Sequence, residues 1–202
     1  MKSQKGFTLL ELILVLLIIS LLIGVMLPVV FGKIEDAKRI NARVTLERIY
    51  GGILDFYDDL GFWPRYVDGQ KAPGAAASTY NILRSEQGNV PASLDSRWLE
   101  TTAVDSLENQ LIRNTPGYRE RQEPQARHGW NGPYLNDFLP PDPWGNKYYI
   151  NVGFLDEKGK PSERHKVWIL SAGPNETIDT PYEQLQTTGQ LQGDDIGLPL
   201  IH

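Results

Sequence analysis

Between Phe7 and Phe31 the chain carries a single ionisable side chain, Glu11. Read as helix at 1.5 Å per residue, an apolar run of that length spans the ~30 Å hydrocarbon core of a bilayer. From Lys33 to Leu60 the pattern turns amphipathic: Ile34, Ala37, Ile40, Val44, Ile49, Ile53, Phe56 and Leu60 recur at steps of mostly three and four, with Glu35, Asp36, Lys38, Arg39, Arg43, Glu47 and Arg48 between them. The pattern predicts one helix of roughly 80 Å whose second half buries one face. Gly61 and Pro64 supply its stop signals.

Downstream, periodicity fades and then returns. Residues 66–127 read mostly as loop, with a short helix expected over Ser78–Arg84 and another over Ser106–Ile112 with Ser106 as its N-cap. Trp98 and Tyr118 read as packing residues. Lys147 to Val152 has the aromatic and β-branched make-up of a strand, Asp156–Lys160 that of a hairpin tip, and Lys166–Ser171 that of the return strand. Asp142-Pro143-Trp144-Gly145-Asn146 before them is turn chemistry, with Asp142 initiating the turn and Trp144 in the core. A sheet of two or three strands needs the helix as its other layer. The expected class is therefore α+β, a long N-terminal α-helix with a transmembrane half and an amphipathic half, packed on a small antiparallel sheet.

Gly24 and Pro28 interrupt the apolar run, and a kink or unwound turn is expected near Pro28. Glu11 is the chemical exception. A carboxylate in a membrane helix costs about 2.5–3.5 kcal/mol on insertion scales, so it calls for a partner or a task. Lys2 and Lys5 precede Gly6, and a cut between Gly6 and Phe7 would remove both. The same cut would create an α-amino group on Phe7, one helical turn from Glu11 and suited to the Glu11 of a neighbouring copy.

Composition narrows the classes. The chain has 202 residues and a formal charge of −5, with no long basic cluster that would mark a nucleic-acid partner. About 170 residues follow the apolar run, enough for one domain with its own core. Cysteine is absent, which excludes a thiol nucleophile, a Cys-ligated zinc and a disulfide framework. His128, His165 and His202 lack metal-ligand spacing, and there is no phosphate-binding Gly-rich loop or nucleophile elbow. No catalytic constellation is present. Asp58-Asp59 reads as a polar helix end.

A short basic leader ending in Gly6, then Phe7-Thr8-Leu9-Leu10-Glu11 and a long apolar helix, resembles the class III signal of type IV pilin-like proteins. A secretory signal would have a shorter apolar region and a small-x-small cleavage site, whereas this run ends Val29-Val30-Phe31-Gly32-Lys33. The resemblance implies a 1–6 leader removed by a prepilin peptidase, N-methylation of Phe7, a 7–32 transmembrane and filament-core helix, and a 33–202 periplasmic domain with an insertion at about 66–127. Phe7, Glu11 and Pro28 would serve assembly. Gly132-Pro133-Tyr134-Leu135, then Leu139 and Asp142-Pro143-Trp144-Gly145-Asn146 followed by a tyrosine strand, is similar to the G-type major pseudopilins of type II secretion systems.

In that family a Ser-x-Gly-x-Asp turn and a late acid-Ile-Gly hold a Ca²⁺. The matching pieces here are Ser171-Ala172-Gly173-Pro174-Asn175 and Asp194-Asp195-Ile196-Gly197. The resemblance implies a backbone carbonyl from Ala172, a side-chain oxygen from Asn175 and carboxylates from Asp194 and Asp195, a donor set suited to Ca²⁺. Asn175 stands where the family has Asp, so Glu176 or Asp179 is a candidate substitute.

The expected function is thus a structural subunit of a type II secretion pseudopilus, anchored in the inner membrane by one span. Its partners would be further copies in a helical polymer, the prepilin peptidase, other pseudopilins and the inner-membrane assembly platform. A type IV pilus subunit and a membrane-anchored binding module that never polymerises are the alternatives.

Overall fold

The computed structural model describes residues 7–71, 77–93, 95–121 and 128–200. The expected 1–6 leader with Gly6, part of the Pro73–Ala77 loop, Arg127 and His202 lie outside them. The chain divides into two compact units between Lys38 and Arg39.

In the first unit, helix α1 (Leu9–Leu60) begins with a capping box. The Thr8 Oγ1 accepts a hydrogen bond from the Glu11 amide at 3.2 Å, and the Glu11 carboxylate accepts from the Thr8 amide and hydroxyl, each at 3.0 Å. This reciprocal arrangement satisfies two donors that a helix start leaves open. Glu11 therefore has a partner three residues away, and the Thr-x-x-Glu spacing is itself the signal. The helix runs through Gly24 and Pro28 without an unwound turn. One proline forfeits a single i→i−4 bond.

In the second unit α1 buries Ala42, Thr45, Leu46, Ile49, Gly52, Ile53, Phe56 and Leu60. The lower half of the expected stripe is corrected: Ile34, Ala37, Ile40 and Val44 are exposed, Ile40 to 65 %. Nine residues separate Ile40 from Ile49, two and a half turns, so the two lie on opposite sides of one helix. Gly61 ends the helix in the left-handed region at φ 77°, its amide donating to the Tyr57 carbonyl at 2.7 Å.

The helix packs on a five-stranded sheet, antiparallel except for one pair. Its strands are β1 (Ile82–Arg84), β3 (Val104–Ser106), β4 (Tyr149–Ile150), β5 (Val167–Ser171) and β7 (Ile196–Leu200), in the order β3-β1-β4-β5-β7. Two short strands, β2 (Ala92–Ser93) and β6 (Thr177–Ile178), pair in parallel beside it. The wholly buried β5 is an interior strand, with Ile169 opposite Ile150 on one side and Leu198 on the other.

Three sequence expectations change here. Ser78–Arg84 is not helix: residues 82–84 form β1, which pairs with β4 and, in parallel, with β3. Strand β4 is shorter than Lys147–Val152 because Asn151 leaves the ladder. Its side chain donates to the Lys166 and Tyr182 carbonyls, both at 3.0 Å, and accepts from the Trp168 amide at 2.7 Å. A further strand, β7, follows Ser171 and ties the chain end to β5 over five residue pairs. Strand pairing does what a disulfide would do elsewhere.

Other expectations hold. Ser106 caps a helical turn, its Oγ accepting from the Asn109 amide at 3.0 Å, and the turn continues as a π-helix over Asn109–Arg113. Trp98 and Tyr118 are core residues: Trp98 donates to the Thr180 carbonyl at 2.8 Å, and Tyr118 meets Phe56 edge-on with ring centres 5.0 Å apart. Asp142 builds its turn, accepting from the amides of Trp144 and Asn146 and from the Ser171 hydroxyl at 2.7 Å, while Gly145 takes φ 96°. Trp144, expected in the core, is half-buried at that turn.

Candidate functional site

Two places carry chemistry. The first is the start of α1. Phe7 is 82 % exposed, and the large apolar side chains from Leu9 to Phe31 are exposed along the helix. This is the one helix among the described residues that is long and apolar enough to cross a membrane. Such a surface suits a solvent of hydrocarbon or of other helices, not water. Glu11 sits at its end, where the helix dipole favours a negative charge, and its cap hydrogen bonds to Thr8 leave one carboxylate oxygen for a further partner. Pro28 lies within the helix, away from Phe7 and Glu11 in sequence.

The second place is the loop between β5 and β7. The Asn175 amide N–H donates to the Asp194 carboxylate at 2.9 Å, and its side-chain amide donates to Asp179 at 2.8 Å. Asp195 is buried, with one carboxylate oxygen accepting from the Thr180 amide at 2.7 Å. Ala172 is buried where the chain leaves β5. Of the four residues expected to bind a metal, Asn175 and Asp194 are in direct contact. Asp179 joins them through the hydrogen bond from the Asn175 side chain.

Burial pushes the Asp195 carboxyl up to about 6, and the neighbouring Asp179 charge adds to the rise. The second oxygens of Asp194 and Asp195 are buried without a hydrogen-bond partner. Orphaned buried carboxylate oxygens are costly and fit a bound cation. The fit has a limit: among the described residues no three acidic or histidine side chains converge on one point. A cation here would draw on amide and backbone oxygens as well, which Ca²⁺ accepts readily.

Residues 1–27 match the prokaryotic N-terminal methylation motif, and residues 119–186 match the family of type II secretion system protein G. A type II secretion system core protein G from Klebsiella pneumoniae is 28 % identical over 178 residues, covering 87 % of this chain and 88 % of that protein. No solved structure matches the chain significantly. The N-terminal methylation motif, with the long apolar N-terminal helix and the α+β domain, supports a type IV pilin-like protein. The protein G match and the relative support a G-type pseudopilin, a structural subunit of type II secretion, within that class.

Sequence reasoning missed the Thr8 cap, although Thr-x-x-Glu announces it. It also missed β7, because Ile-Gly-Leu-Pro-Leu carries a proline that argues against a central strand. At a sheet edge the proline is tolerated: Pro199 lies opposite Trp168 on the outermost strand.

Proposed function

We propose that the chain is cut after Gly6, methylated on Phe7 and polymerised from the inner membrane into a periplasmic pseudopilus whose growth drives protein export. The observation that carries this reading is the exposed apolar surface of Phe7–Phe31 with Glu11 alone at its head. In the membrane that surface faces lipid, and in a filament it faces the same helix of other copies. Packing of this kind repeats one contact head-to-tail and does not close, so it yields an open fibre. The second oxygen of Glu11 would receive the new α-amino group of a neighbour's Phe7 and so set the axial step. A prepilin peptidase, other pseudopilins and the assembly platform are the partners this life cycle needs.

Ca²⁺ is the proposed clamp of the β5–β7 loop, held by Asn175, Asp194, Asp195 and the Ala172 carbonyl with Asp179 assisting. When bound, it supplies positive charge that compensates the crowded carboxylates.

Assembly is tested with two variants of Glu11. Glutamine keeps the capping box and removes the charge, whereas alanine removes both. If the charge docks the neighbour, Glu11→Gln and Glu11→Ala both insert into the membrane and both lose cross-linkable multimers in cells with the secretion machinery. Assembly of Glu11→Ala at the unmutated level would overturn the proposal and favour a membrane-anchored module that stays single.

A further inference from the structure

We propose that the cleft at the end of α1 binds a carboxylate carried on an apolar group about the size of one residue. The cleft has a volume of about 250 Å³ and is lined by Leu60, Phe62, Gly69, Gln70, Arg119, His128 and Gly129. It is smaller than the roughly 300–1,000 Å³ of sites for drug-sized ligands, so its occupant is small.

Its walls are fixed before any ligand arrives. On one side the Gly69 amide donates to the Pro116 carbonyl at 2.8 Å, and the Gln70 side chain donates to the Gly117 carbonyl. Gly69 lies so close to Tyr118 that an added Cβ would stand 2.5 Å from its ring, which only glycine allows. On the other side the Gly129 amide donates to the Asp59 carbonyl at 2.9 Å, and the Trp130 amide to the Arg119 carbonyl at 2.8 Å. The His128 ring rests over Gly61, 3.3 Å from where a Cβ would be. Pre-formed walls of this kind reduce the ordering that binding must otherwise supply.

The chemistry of the lining selects the ligand. Leu60 and Phe62 give an apolar floor, Phe62 packing edge-on against Tyr66 at 5.4 Å between ring centres. Arg119 is an exposed guanidinium whose side chain has no hydrogen-bond or ion-pair partner among the described residues, whereas the adjacent Arg121 is drawn to Asp59 at 3.8 Å. A guanidinium presents a planar fork that matches a carboxylate. His128 adds a ring N–H on the same rim. An apolar floor under a cationic rim fits an apolar side group and a carboxylate together, in the form of either a free acid or the last residue of a peptide. Insertion residues and the helix end build this cleft jointly.

The test is a titration of the ¹⁵N-labelled full chain in detergent micelles, following the Gly129 and Trp130 amides. The probes are 3-phenylpropionate, acetyl-Gly-Phe with a free carboxylate, and acetyl-Gly-Phe-amide. At least one acid should give saturable shifts, the amide should bind about ten-fold or more weakly, and Arg119→Gln should weaken the acid by a similar factor. Arg119→Lys should restore part of the loss. Binding of phenylpropionate points to a free acid, and binding of the peptide acid alone points to a chain terminus. No saturable shift with either acid, equal binding of the amide, or unchanged binding by Arg119→Gln would overturn the proposal.

Discussion

Adjacent glycines in α1 show how much one residue's setting decides. A Cβ on Gly51 would have nothing within 4 Å, whereas one on Gly52 would lie 2.8 Å from the Tyr134 carbonyl oxygen and 3.0 Å from Leu135. Gly51→Ala should therefore stabilise the domain by about 0.5–1 kcal/mol through helix propensity. Gly52→Ala should destabilise it by ~1–3 kcal/mol through overpacking. Denaturant unfolding of the two variants checks the pair, and equal effects would contradict the packing.

Glu108 is a fully buried carboxylate, accepting from the amides of Glu86 at 3.0 Å and Leu139 at 3.2 Å. Burial raises its pKa above the ordinary 4.5, against the pull of those hydrogen bonds. A raised carboxyl means that the folded state holds its proton where the unfolded state has released it. Stability therefore falls as pH rises from the unfolded value through the folded one. Melting curves across that window should show a shallower decline for Glu108→Gln than for the unmutated chain, and an unchanged slope would refute the assignment. Residues whose chemistry is local, such as Asp142 in its turn and Ser106 at its cap, were legible in the sequence. Glu108 was not, because both amides that hold it come from segments distant in the chain.

At the scale of elements, legibility followed the length of the periodic signal. The whole of α1 and the β4–β5 hairpin could be read from the chain, yet the buried face of α1 was out of phase below Ile49. Both sides of that stretch carry apolar residues, and the sequence does not say which side meets the sheet. Strands β1 and β3 hid in the insertion because two or three residues carry no period. The β5–β7 loop gives the element-scale prediction. Melting the full chain with Ca²⁺ and with a chelator should raise the transition in Ca²⁺, since a ligand that binds only the folded state stabilises it. Asp194→Ala should abolish the rise, and no shift in the unmutated chain would remove the clamp.

For the whole molecule, the N-terminal motif and the protein G match occupy separate stretches of one chain, residues 1–27 and 119–186. A membrane helix without the second would be an anchor, and the domain without the first would have no route into a fibre. The exposed stripe of Ile40 and Val44 belongs to this scale as well, because the domain's own sheet leaves it uncovered. What the sequence could not convey is which of these surfaces faces another copy, since that depends on contacts outside a single chain.

The most direct measurement is the mass of the N-terminal peptide of the protein extracted from membranes, in cells with and without a prepilin peptidase. The account predicts a peptide beginning at methylated Phe7 when the peptidase is present and an uncut leader when it is absent. A chain that keeps Met1 in both cells, or one cut near Phe31, would contradict it.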